Sequence, residues 1–333
     1  MSSQVKRIGV LTSGGDAPGM NAAVRSVVRS AVGRGIECVG IRRGWSGLIN
    51  SDFVRMEGSS VSHIIDKGGT ILYTARSVEF MQPEGREKAI ATCKLLGLDG
   101  IVAIGGDGTF RGALALSRQI AESGQQLAVV GIPATIDNDI GCSHYTIGFD
   151  TACNTAVECV DKLRDTMQSH ERCSVVEVMG RHAGYLALYV GISVGATAVL
   201  IPERPVDFEK DVVEKIRRAR LAGTTHYMVV VAEGAGSAFE IAKRIQEEVG
   251  IDPRVTVLGH IQRGGSPTAR DRETASRMGY EAVNVLAEGK GNRIIATQDG
   301  RIVDLDMEAA LAMTKEFDME RYSVLEALTN SGR

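Results

Sequence analysis

Short apolar runs alternate along this chain with longer segments whose apolar positions recur every three or four residues. The short runs predict strands: Arg7–Leu11, Gly100–Ile104, Ala128–Ile132, Ser174–Val178, Ala198–Ile201, Tyr227–Ala232 and Val255–Leu258. The longer segments predict helices over Met20–Val32, Phe110–Ala121, Thr151–Met167, Gly184–Val194, Val212–Leu221 and Phe239–Val249. Such alternation predicts an α/β fold with mostly parallel sheets flanked by helices. The first four helices begin near glycine-rich loops at strand C-terminal ends, where open α/β sheets hold their ligands.

At 333 residues the chain exceeds what one core usually serves, so two domains are expected. The Val255–Leu258 run is followed by a Gly-rich loop and another helix, so the border is crossed more than once. A net charge of −3 gives no global attraction to nucleic acid or to an anionic membrane. Any phosphate-bearing ligand must therefore be held by local arginines and backbone amides. Cysteines 38, 93, 142, 153, 159 and 173 show no C-x-x-C pair and read as reduced, mostly buried thiols. No apolar run reaches the ~18 residues of a membrane span, and the polar Met1–Arg7 start lacks a signal-peptide core. The expectation is a cytoplasmic protein with neither nucleic acid nor membrane as partner.

Two loops have the chemistry of a phosphate cradle. Thr12-Ser13-Gly14-Gly15-Asp16-Ala17-Pro18-Gly19 joins the first strand to the Met20 helix. Glycines let amides approach an anion, and a helix N-terminus adds favourable partial charge. Gly105-Gly106-Asp107-Gly108-Thr109 repeats the arrangement with a carboxylate added. A carboxylate beside a phosphate needs a cation between them, so Asp107 points to Mg²⁺ shared with a nucleotide. Neither loop matches Walker A or G-x-G-x-x-G, and each alone is also a common tight turn.

A third loop, Gly131-Ile132-Pro133-Ala134-Thr135-Ile136-Asp137-Asn138-Asp139, leaves the Ala128 strand. In extended backbone Asp137 and Asp139 would project to one side. One could take a proton from a hydroxyl while the other orients a metal or second ligand. The plain alternative is an Asx-rich turn. Cations lie near other strand ends: Arg76 after Gly68-Gly69, Arg172 and Arg181 on either side of Ser174–Val178, and Arg254, His260 and Arg263 around Val255–Leu258. Arginine's fork of donors suits a phosphate oxygen pair, although any one of these is also an ordinary surface ion-pair residue.

Together these stretches resemble the ATP-dependent 6-phosphofructokinases of the bacterial type. The matching segments are Gly9–Asn21, Gly68-Gly69 with Thr74–Arg76, Gly105–Thr109, Thr135–Asp139, Tyr145–Phe149, Val175–Gly184 and Arg254–Arg272. The resemblance implies two similar domains with an active site in the cleft between them. The larger, 1–147 with 260–310, would bind ATP and Mg²⁺; the smaller, 148–259 with 311–333, would bind fructose 6-phosphate. By motif position Asp137 resembles the general base on the sugar 1-hydroxyl. Asp107 resembles the magnesium carboxylate, with Asp139 close to the same centre. Gly15, Arg76 and Thr135 would stabilise the phosphoryl group in flight. Arg76, Ser77, Gly106, Asp107, Gly108 and Thr109 would contact ATP. Met179, Gly180, Arg181, Glu233, His260 and Arg263 would hold the sugar phosphate, together with Thr135 and Asp137. Arg172 and Arg254 resemble arginines that reach the 6-phosphate from a neighbouring subunit, implying a homotetramer with shared active sites.

The resemblance has departures. Pyrophosphate-using relatives carry Asp where this chain has Gly108 and Lys where it has Ala134. Gly108 leaves room for the α-phosphate side of ATP. Arg25, Arg29 and Arg164 match the family's effector site, but neutral Gly58, Thr197, Ala222 and Thr224 stand where that site is charged. The expected response to ADP or phosphoenolpyruvate is therefore weak, and Arg25 and Arg29 also read as a solvated helix face. A kinase for a related sugar phosphate, a pyrophosphate-dependent enzyme and a silent sugar-phosphate sensor are the other readings. The sensor would be expected to lose Asp107 or Asp137, and both are present.

Overall fold

The computed structural model describes residues 5–124 and 126–330. Residues 1–4 of the polar start and 331–333 of the expected tail lie outside the described residues. Strands follow in the order β1 (Arg7–Ser13), β2 (Glu37–Ile41), β3 (Phe53–Met56), β4 (Gly100–Gly105), β5 (Ala128–Pro133) and β6 (Cys173–Val178). They continue with β7 (Ala198–Leu200), β8 (Tyr227–Ala232), β9 (Arg254–Val257), β10 (Arg293–Gln298) and β11 (Arg301–Asp306). Among the described residues they form two sheets, ordered β11-β10-β5-β4-β1-β2-β3 and β7-β8-β6-β9. The chain is α/β with mostly parallel pairing, and among the described residues only β2–β3 and β10–β11 are antiparallel.

The chain divides into two compact units. The first holds the described residues up to Thr135 with Ile140–Asp150 and Arg263–Lys315; the second holds Ile136–Asp139, Thr151–Gln262 and the residues from Glu316 on. The stretch 136–139, which the sequence reading places with the larger unit, groups with the second. Within that unit burial, and then the charges of Glu203 and Asp139, push the pKa of the Tyr185 hydroxyl up to about 12.

In the first unit β1, β4 and β5 are covered on both faces, so Ile8, Val10, Ile101, Val102, Val129 and Ile132 are all fully buried. That burial is why their apolar runs are continuous. The edge strands are harder to see in sequence. β3 is only four residues long with Met56 alone buried, and β11 returns through Asp299-Gly300, whose left-handed φ values of 49° and 75° fit a two-residue hairpin turn. The second unit buries Val175, Val229, Val231, Val212 and Ile216 around β6 and β8. The expected Val255–Leu258 strand is present as β9, one residue earlier in the chain. β9 pairs with β6 alone, at the sheet edge, and Val257 is 46% exposed. The expected Val212–Leu221 helix also starts earlier, as a π-helical turn over Glu209–Val213.

Phe110, in the Asp107–Glu122 helix, is fully buried against β5, where a Cβ at Gly131 would approach its ring to 2.6 Å. Phe110 therefore fills the space that the missing side chain at Gly131 leaves. Phe110→Ala should cost about 3–5 kcal/mol through lost transfer energy and a residual cavity. A urea-unfolding midpoint unchanged by the substitution would contradict this packing.

Candidate active site

In the first unit β1 and β4 end side by side, with Ser13 opposite Gly105. A side chain at Gly105 would collide with the Ser13 carbonyl and the Thr109 hydroxyl. Glycine is therefore required for the two strand ends to meet. Thr109 Oγ1 donates to the Ser13 carbonyl at 3.1 Å, which seats the start of the Asp107–Glu122 helix on the first loop. Gly14 turns the chain with φ 92°, and its carbonyl accepts from Thr74 Oγ1 at 2.8 Å. Thr12 Oγ1 donates to the Tyr73 carbonyl, also at 2.8 Å. Those two bonds hold the Tyr73–Ser77 stretch against the end of β1 and Gly14, with Arg76 exposed just beyond.

Gly15 is exposed, and a Cβ there would lie 2.7 Å from Arg263 Nη1, which donates to the Asp16 carbonyl at 3.0 Å. The structure thus brings Arg263, expected among the sugar-phosphate ligands, to the Gly14–Gly19 loop of the first unit. Gly106 neighbours Thr135, 3.9 Å from Thr135 Cβ to where a glycine side chain would begin. Asp107 stands exposed in the first helical turn and pairs with Arg111 at 2.6 Å. Exposed Gly15 and Gly108, the helix dipole and the exposed Arg76 suit an anionic group. No cluster of three or more His, Cys, Asp or Glu side chains able to hold a metal occurs among the described residues. Magnesium ordinarily takes one or two carboxylates plus substrate phosphates, so an exposed Asp107 beside a phosphate loop fits such a shared ion.

The Thr135–Asp139 loop departs from the extended geometry expected of it. Asn138 has φ 53°, so the chain turns between the two carboxylates. Asp137 is 8% exposed whereas Asp139 is exposed, and they no longer share one side of a strand. Part of the Asx-turn alternative is therefore correct. It coexists with a buried carboxylate at Asp137.

In the second unit the loop after β6 is built around two acceptors. Glu233 Oε1 accepts from the Gly180 and Arg181 amides at 3.2 and 2.6 Å. Gln262 Oε1 accepts from the Met179 amide at 2.8 Å. Arg181 has φ 57°, a left-handed conformation that this pair of bonds supports, and its side chain is exposed. Beyond this turn the Gly184 amide donates to Glu203, whose carboxyl pKa is raised by burial. Arg172 precedes β6, and Arg254 opens the adjacent β9 with its guanidinium on Asp252 at 2.9 Å. His260 is exposed in the short turn Gly259–Arg263.

The proposed effector arginines fall in two places. Arg25 and Arg29 line a cavity of about 520 Å³ in the first unit with His63, Asp66 and Lys67. Arg164 lines another, of about 380 Å³, in the second unit with Thr197, Ala222 and Thr224. Two residues at the candidate site escape the sequence reading. Asn21 is 1% exposed and pins the Gly68-Gly69 loop, donating to the Lys67 and Gly68 carbonyls at 3.1 Å and accepting from the Ile71 amide at 2.7 Å. A lone Asn inside an otherwise apolar helix start was its signal. Gln262 is fully buried, and its neighbour Arg263 drew attention instead.

Comparison with known proteins adds a consistent pattern. Residues 7–286 match the family model described as Phosphofructokinase. An ATP-dependent 6-phosphofructokinase of Clostridium botulinum (strain Hall) is 50% identical over 325 residues, covering 98% of this chain and 100% of the relative. ATP-dependent 6-phosphofructokinase 1 of Clostridium perfringens (strain 13) is 52% identical, covering 97% and 99%. Among solved structures, phosphofructokinase from Saccharomyces cerevisiae superimposes with a TM-score of 0.87 at 35% identity. The match takes in 98% of this chain, which spans about half (47%) of the yeast chain. A pyrophosphate-dependent phosphofructokinase from Marinobacter aquaeolei shares the fold, with a TM-score of 0.85 at 22% identity and coverage of 95% and 86%.

Glu233→Ala would remove two charge-assisted bonds, each worth ~1.5–3 kcal/mol, from a strained turn. Amide exchange at Gly180 and Arg181 should accelerate at least ~10-fold, since ~1.4 kcal/mol is a factor of ten. Unchanged exchange at both would show that other contacts hold this turn.

Proposed function

We infer the reaction from one premise: the chain belongs to the phosphofructokinase family. It phosphorylates fructose 6-phosphate at O1 with ATP, giving fructose 1,6-bisphosphate in glycolysis, and is a phosphotransferase to an alcohol group. The observation that carries this reading is 50% identity along the full length of an ATP-dependent relative. The division of labour among residues is our proposal, supported by the local geometry of each unit.

ATP is held by the first unit through Arg76, Ser77, the Gly106–Thr109 turn and the amide of Gly15. The close approach of β1 and β4, which requires Gly105, leaves the Gly106–Gly108 backbone accessible to phosphate oxygens. Mg²⁺ would be held by Asp107 and, when bound, would neutralise charge on the nucleotide phosphates. Arg76 and Thr135 offer donors to the equatorial oxygens of the transferring phosphoryl group, whose charge spreads as the bond to ADP loosens. Asp137 accepts the proton of the sugar 1-hydroxyl as that oxygen bonds to the γ-phosphorus. A placed base of this kind contributes ~10²–10⁴ in rate.

The second unit takes the sugar phosphate. Met179, Gly180, Arg181, Glu233 and His260 orient it, with Arg263 as a further contact. Arg172 and Arg254 reach the 6-phosphate of a neighbouring subunit's substrate, so the working form is a homotetramer. Arg254 would then exchange Asp252 for the phosphate. The protein acts in the cytoplasm; no helix among the described residues is long and apolar enough to cross a membrane.

Two measurements test this reading. Asp137→Ser should lower kcat at least ~100-fold with substrate KM values changed far less, as befits a group that acts in the transition state. Near-normal turnover in a folded variant would sink the base assignment. Gly108 faces open space, without the carboxylate that would repel the α-phosphate side of ATP. ATP with Mg²⁺ should therefore be used far better than pyrophosphate in steady-state assays with fructose 6-phosphate. Equal rates with pyrophosphate would show that Gly108 and Ala134 do not set the donor.

A further inference from the structure

Asp271 is a fully buried carboxylate in the first turn of the Ala269–Ala287 helix, and no step above uses it. Its Oδ1 accepts from the Tyr145 hydroxyl and from the Gly148 amide, the latter at 2.7 Å. Tyr145 is itself 5% exposed, with the Arg270 guanidinium 4.2 Å from its ring centroid. A carboxylate buried at such cost, accepting from two donors that belong to one turn, is a rigid anchor for that turn.

The turn it anchors is the one that supports the end of β5. The Ile147 amide donates to the Pro133 carbonyl at 3.0 Å, and Ile147 and Ala134 form an isolated parallel bridge. Thr146 Oγ1 donates to the Thr135 carbonyl at 2.7 Å. The Ala134 amide in turn donates to the Gly105 carbonyl at 2.9 Å, tying the same segment to the nucleotide-side loop. The anchor also touches the other phosphate loop: a Cβ at Gly19 would meet Ile147 at 2.6 Å and Asp271 Cβ at 3.5 Å. Thr135 stands two residues before Asp137 in the chain. Whatever fixes the Thr135 carbonyl fixes where the Asp137 segment departs.

We propose that Asp271 is a positioning residue for phosphoryl transfer, acting through Tyr145 and the 145–148 turn to set the departure of the Thr135–Asp137 segment. This inference rests on the reading of Asp137 as the base. Burial, and then the Asp271 charge, push the Tyr145 hydroxyl far above its ordinary pKa, so it remains a donor throughout the working pH range. Misplacing a reacting group by about 1 Å can cost ~100-fold, so a loosened anchor should be felt in kcat.

The test is a double-mutant cycle. Tyr145→Phe removes the hydroxyl and keeps the ring; Asp271→Asn keeps the shape and removes the charge. Each single variant should lose at least ~10-fold in kcat while KM for ATP and fructose 6-phosphate moves less than about threefold, with kcat counted per folded protein. In an Asp137→Ser background, Tyr145→Phe should cost less than about twofold more, because the role is transmitted through the group already removed. Should Asp271→Asn not fold, Tyr145→Phe decides the question alone. Normal kcat in Tyr145→Phe beside a large loss in Asp137→Ser overturns the inference and leaves the base assignment standing. Losses that multiply in the double variant also overturn it. Near-normal kcat in Asp137→Ser removes the base and this inference together.

Discussion

The first unit depends on how closely β1 and β4 approach where they end. Ser13 and Gly105 face each other with no room for a side chain at Gly105, and the Thr109 hydroxyl closes the gap by donating to the Ser13 carbonyl. That single steric requirement sets the start of the Asp107–Glu122 helix beside the Gly14–Gly19 loop. Gly15 in the first loop and Gly108 in the second remain exposed, with no side chain to cover their backbone. Threonines 12 and 74 then hold the Tyr73–Ser77 stretch against the end of β1 and Gly14. The loop backbones are positioned by crowding, not by long flexible side chains, so an anion bound there would have little order left to impose.

Charge is handled differently in the two units. In the first, Asp107 is exposed and neutralised by Arg111 one helical turn away, an arrangement a cation can replace. In the second, Glu233 spends its charge on two backbone amides and thereby stabilises Arg181 in a left-handed conformation. The carboxylate there shapes a turn, and Arg181 is presented outward by the strain it relieves. The cavity near Arg164 is also lined by Arg218 and His226, whereas Thr197, Ala222 and Thr224 add no charge to it and Thr197 Oγ1 accepts from the Met228 amide.

Buried polar side chains are the least legible part of the molecule. Asn21, Gln262 and Asp271 have partners 46 to 126 residues away in the chain, and their neighbours in sequence say nothing about those partners. Nor did the Thr135–Asp139 stretch disclose the left-handed turn at Asn138, because Asn suits an extended loop and an αL turn alike. β9 shows the same limit. Its apolar run resembles β8, yet it sits at an edge with Val257 exposed, and only pairing with β6 alone reveals this.

Sequence by itself determined the central strands, the helices that follow them and the family of the chain. Strands covered on both faces must be apolar throughout, and glycines at their ends are irreplaceable where backbones touch, so both leave a local imprint. The Tyr227–Ala232 run is the clearest instance, predicted and observed over the same residues. Tertiary structure decided which side chains serve the loops: Arg263 against Gly15, Gln262 beneath Met179, and Asp271 beneath Tyr145 and Gly148. Those choices depend on distances across the chain, and a hydrogen bond between remote residues leaves no periodicity for a sequence to display.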